Sequence, residues 1–206
     1  MEPFRVRFLA FFSAVLLVLL TAASAWAQHN RHDPRVLQED PRLAAGQIAP
    51  MLEGLGEHSR KVTTTSERAQ LFFDQGLRLT YGFNHKEALR AFKEAARLDP
   101  RCAMAYWGWA LVLGPNLNLP MREEVAAQAW EAISLALENK KYASKKERDL
   151  IDALATRYSQ DPKADRAGLD AAYAAAMEQV YAKYPEDNDV ATLYAAALMN
   201  LSPWNY

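Results

Sequence analysis

Displaced by 34 positions, the chain matches itself. Phe72 falls on Tyr106, Phe73 on Trp107, Gly76 on Ala110, Leu77 on Leu111 and Leu79 on Leu113. The segments that follow agree after four further residues, Ala88, Phe92 and Ala95 against Ala126, Trp130 and Ile133. Residues 114–120, rich in Gly, Pro and Asn, absorb the excess. A weaker third copy sets Pro185 ten residues before Ala195, as Pro100 stands ten before Ala110. A fixed period of this size is the mark of stacked supersecondary units, each too small to bury its own apolar face.

The units are helical. Ser66 is placed as an N-cap, because a serine hydroxyl accepts an orphan backbone N–H. The first helix is predicted over 67–81, stopping at Gly82, and the second over 85–98, closed by Asp99-Pro100 because proline cannot continue a helix. Further helices are predicted over 102–113, 121–139 and from the Ser144–Glu147 capping box to about Tyr158, then over 165–184 and from 189 to about 202. No segment alternates with period two, so no sheet is expected. Small residues at Gly76, Ala88, Ala110 and Ala195 let helix axes approach, and Phe72, Phe92, Tyr106 and Trp130 fill the space beside them.

Gly76, Ala88, Phe92, Ala95 and Pro100 stand where a tetratricopeptide repeat has its signature residues, and the chain resembles that family. It departs in the first helix, where Phe72, Gln75 and Leu79 replace the usual Trp, Leu and Tyr. The stretch from Ala69 to Gly108 is similar to a group of exported bacterial tetratricopeptide proteins of undefined biochemical role. The resemblance implies an all-α solenoid of antiparallel helix pairs. It also implies a scaffold for protein–protein or peptide binding, without catalysis of its own. Members of that group are usually longer, so this chain is expected to be the N-terminal part of a longer protein. Its apolar ending, Leu201 to Tyr206, suggests an incomplete repeat domain over 66–206 and self-association through the C-terminal helix.

In that family the first helix of each pair lines a concave groove. Phe73, Leu77 and Tyr81, and one repeat later Met104, Trp107 and Leu111, are then the candidate partner-binding residues. Aromatic anchors in a groove suit an apolar or aromatic peptide. The alternative is that these side chains pack on one another or on the preceding arm. The lysine, asparagine and arginine set with which some tetratricopeptide proteins clamp a terminal carboxylate is absent.

A rival reading makes His85, Cys102 and Met104 soft ligands of a copper ion, in a metal-handling or redox protein. His29 and His32 are too few for a metal site and read as a solvated tail. Lys140, Lys141, Lys145 and Lys146 read as a solvated loop and helix start. No His-Glu-x-x-His, Gly-x-Ser-x-Gly or phosphate loop is present, and no cofactor or metal is expected. A further alternative is a non-catalytic piece of a multi-module protein.

Residues 1–27 carry Arg5 and Arg7, a run of apolar residues and the small-x-small exit Ala25-Trp26-Ala27, the pattern of a secretory signal peptide. Cleavage would follow Ala27 and send the chain to a bacterial periplasm or beyond; retention would leave a membrane anchor. Residues 28–65, broken by Pro34, Pro41 and Pro50, form an arm or linker. With 24 Lys+Arg against 25 Asp+Glu there is no footprint for nucleic acid, and a lone Cys102 cannot form an internal disulfide.

Overall fold

Side-chain caps open five of the helices, and the computed structural model describes residues 45–161 and 163–205. The expected signal peptide, the first part of the arm with His29 and His32, and Tyr206 lie outside the described residues. Among the described residues seven α-helices follow one another: α1 Glu67–Tyr81, α2 His85–Leu98, α3 Ala103–Leu113, α4 Ala126–Asn139, α5 Lys145–Ala155, α6 Arg166–Lys183 and α7 Asn188–Met199. Among the described residues the only ladder contact is an isolated antiparallel bridge, Asn116 to Leu119.

Ser66 accepts a hydrogen bond from Ala69 N at 3.2 Å and opens α1. Asn84 caps α2, Asp165 caps α6 through Ala167 and Gly168, and Asp187 caps α7 through Val190. The capping box is formed on α5: Ser144 Oγ accepts from Glu147 N while Glu147 Oε2 accepts from Ser144 N.

Three helices are shorter than their patterns predict, the last of them ending at Met199 and not near Ser202. Residues 121–125 do not join α4. Asn116 and Leu119 exchange both backbone bonds in a tight turn, Arg122 is extended, and a 3-10 turn, Glu123–Val125, leads into the helix. The fifth helix ends at Ala155 and not near Tyr158. Thr156, Arg157 and Tyr158 each bond three residues back, which tightens the last turn. Tyr158 is thereby turned to donate its hydroxyl to Ala110 O at 2.5 Å.

Each helix packs on the next, and α1 also meets α3, as α3 meets α5. Among the described residues one apolar cluster joins all seven helices, including α3, which lacks any charged residue. Phe92 of α2 is its wedge. A Cβ at Gly76 of α1 would stand 2.7 Å from the ring, and one at Gly108 of α3 only 2.4 Å, so two bare backbones flank one aromatic side chain. Phe73 lies tilted against the same ring at 5.5 Å. No helix among the described residues is long and apolar enough to cross a membrane.

Candidate interaction face

The six residues expected to line an open groove are mostly sealed. Phe73, Leu77, Met104 and Trp107 are buried, in one cluster with Ala49 and Val62 from the arm. Tyr81 and Leu111 are half-buried against that cluster. Trp107 does not face a groove at all, because its Nε1–H donates to Leu150 O of α5 at 3.2 Å. Spacing of four residues puts side chains on one helix face, but that face is covered by other helices and by the arm.

The described part of the arm, residues 45–65, has no regular structure and is held by polar side chains of the helices. Gln75 donates to Pro50 O at 2.9 Å and accepts from Leu52 N at 2.7 Å. Gln70, five residues earlier on α1, repeats the grip: it donates to Arg60 O at 2.9 Å and accepts from Val62 N at 3.0 Å. Asp74 accepts from Arg60 N and Ser59 Oγ, both at 3.0 Å. Glu94 of α2 accepts from Ile48 N at 2.9 Å. Glu147 of α5 takes Thr63 N and Thr63 Oγ1, both at 2.6 Å. Asp99 takes Thr64 Oγ1 at 2.5 Å and Thr65 N at 3.0 Å. Glu94 and Glu147 are buried, as are Asp74, Gln75 and Asp99, so the backbone atoms they satisfy supply much of their solvation.

The arm is latched to the start of α7. Arg60 Nη1 donates to Asp187 Oδ1 at 2.8 Å and to Asp189 Oδ2 at 3.0 Å. Tyr81 OH donates to Asp189 Oδ1 at 2.7 Å, and His58 Nε2 lies 3.0 Å from the same oxygen. Lys146 Nζ reaches Asp187 Oδ2 at 2.8 Å, so the lysine cluster is partly ion-paired and not wholly solvated. Arg60, Lys146, Asp187 and Asp189 border an open depression of about 490 Å³.

His85 opens α2, 14 residues and so ~20 Å long, while Cys102 lies beyond its far end as the N-cap residue of α3, too far away to share one ion. Asn116 Nδ2 lies 3.1 Å from His85 Nδ1, and Phe83 stacks on its ring. Cys102 is buried, and burial pushes its thiol up to about 12. Among the described residues no three His, Cys, Asp or Glu side chains converge as for a metal.

Burial works against ionisation at Glu94, Asp99 and Asp187, yet all three are held below the usual carboxylate range. Arg97 and Ile48 N–H outweigh it at Glu94, the Thr64 hydroxyl and Thr65 N–H at Asp99, and Arg60 and Lys146 at Asp187. In the unfolded chain these groups titrate near ~4. Their contribution is therefore complete above that pH and drains as pH falls below it. At the other end, burial raises Tyr81, Tyr158 and Tyr173, the last to about 12. Unfolded thiol and phenols ionise from about 8.5 and 10, so stability falls as pH rises past those values. Thermal melts should give a flat Tm from about pH 5 to 8, with a decline on both sides. A Tm still rising below pH 4 contradicts this account.

Comparison of the chain with protein-family models, with curated proteins and with solved structures finds no match.

Proposed function

We propose that the chain is an exported helical-repeat scaffold of the tetratricopeptide type, which holds an extended protein or peptide segment and performs no chemistry. The single observation that carries this is the repeated two-point grip of Gln70 and Gln75 on the backbone of an extended segment. An amide that takes one carbonyl and one N–H two residues apart recognises extended chain irrespective of its side chains. Sequential helix contacts together with the alternate contacts α1 to α3 and α3 to α5 support the solenoid reading. The occupied face replaces the apolar groove first expected: its chemistry is polar, and its apolar residues serve as the floor.

Export is tested by the intact mass of the chain made in a bacterial host, expected to begin at Gln28; an intracellular chain that keeps Met1 refutes it. Binding is tested with a photo-cross-linker at Lys146, on the rim of the depression. A partner adduct from an envelope extract is expected, and its absence counts against the scaffold.

A further inference from the structure

Resting on the scaffold reading, we propose that the arm is a cis occupant of a site for a partner's extended Arg-x-Val-Thr-Thr segment. The site is built by Gln70, Asp74, Asp99, Glu147, Asp187 and Asp189.

The complementarity runs one way. Five of those six side chains are carboxylates, and the arm offers them only donors: the Arg60 guanidinium, three hydroxyls (Ser59, Thr63 and Thr64) and the N–H groups of Arg60, Thr63 and Thr65. Each position has its own reader. Arg60 sits between Asp187 and Asp189, with its side chain 11% exposed. Val62 is 5% exposed in the core while Gln70 spans the peptide groups around it. Thr63 meets Glu147 through both backbone and hydroxyl, as Thr64 and Thr65 together meet Asp99. Lys61 between them is exposed and is read by nothing at close range among these contacts.

A strap that served stability alone would be cheaper to build from apolar side chains, since burying carboxylates carries a desolvation cost that apolar packing avoids. Here only Ala49 and Val62 of the arm are fully buried apolar residues. The arginine end opens on the depression of about 490 Å³ bordered by Lys146, Tyr184 and Asp189, so an incoming segment can engage Asp187 and Asp189 first. The tethered arm competes at high effective concentration, which sets the affinity a partner must exceed.

The probe is a fluorescein-labelled peptide of residues 58–66, His-Ser-Arg-Lys-Val-Thr-Thr-Thr-Ser, titrated into the full chain and followed by anisotropy. Arg60→Ala frees the two aspartates and should raise peptide affinity about tenfold over wild type, and a peptide with Ala for Arg should lose about tenfold on that variant. An Arg60→Ala chain with unchanged helical circular dichroism and no gain overturns the site, as does an alanine peptide that binds equally well. Concentration-dependent dimers of the variant that the peptide dissolves would assign the site to a second copy and overturn the partner assignment. If Arg60→Ala does not fold, amide exchange of the wild-type chain decides. Val62, Thr63 and Thr65 should exchange by arm opening, well before the amides of α3. Exchange of both only by global unfolding overturns displacement. A partner adduct at Lys146 without peptide binding would sink this site and leave the scaffold standing; peptide binding without an adduct would do the reverse.

Discussion

Phe92→Ala should lower unfolding free energy by about 3–5 kcal/mol, the range for deleting a fully buried aromatic side chain. The ring has no solvent contact and fills the space between the backbones of α1 and α3. Neither glycine has a side chain that could swing in to fill the hole. Gly108→Ala alone should also destabilise, by about 1–3 kcal/mol, because its methyl would meet ring atoms at 2.4 Å. That cost exceeds the ~1 kcal/mol that alanine gains over glycine in a helix. In the Phe92→Ala background the same change should instead stabilise, because the methyl enters vacated space. Urea unfolding of the four proteins of this cycle measures the coupling, expected at about 2–4 kcal/mol because the loss in one background becomes a gain of about 1 kcal/mol in the other. Additive effects would show that the ring is not wedged between the two helices.

Glu147→Ala should cost about 3–5 kcal/mol. The carboxylate is buried and accepts three hydrogen bonds, from Thr63 N, Thr63 Oγ1 and Ser144 N. Two of those donors are backbone N–H groups that lose their partner, and the α5 capping box goes with them. Glu147→Gln keeps the shape and one acceptor, so its loss should be about half as large. The diagnostic readout is the location of the damage. Amide exchange should quicken at Thr63 and Ser144 together, although they are far apart in sequence. A variant that loosens α5 alone would show that the arm does not depend on this residue.

Two helix starts were legible as caps, Ser66 and the Ser144–Glu147 box, whereas Asn84 and Asp165 cap their helices without having been read so. Offsetting the chain by 34 positions, and by 38 in the following segment, found Gly76 and Phe92, but it set Gly76 opposite Ala110 and so passed over Gly108. The repeat aligns equivalent positions of successive units, whereas the Phe92–Gly108 contact joins one unit to the next. Periodicity also placed Phe73, Leu77, Met104 and Trp107 on inner faces without saying what would cover them. The residues that hold the arm form no motif, being spread over α1, α2, the turn after it, α5 and the start of α7. The available hint was local: Asp74 and Gln75 interrupt an apolar run between Phe73 and Leu77. Polar residues at such positions require partners, and the nearby extended segment was the available source.

The fastening of the arm separates the order of synthesis from the order of completion. Thr63 waits 84 residues for Glu147, and Arg60 waits 127 for Asp187. The helices can assemble pair by pair from neighbouring contacts, which form quickly. The segment that leaves the ribosome ahead of these helices gains its last two anchors only when α7 begins, so a nascent chain stalled before Asp187 holds the arm through Gln70, Asp74, Asp99 and Glu147 but leaves Arg60 without its two aspartates.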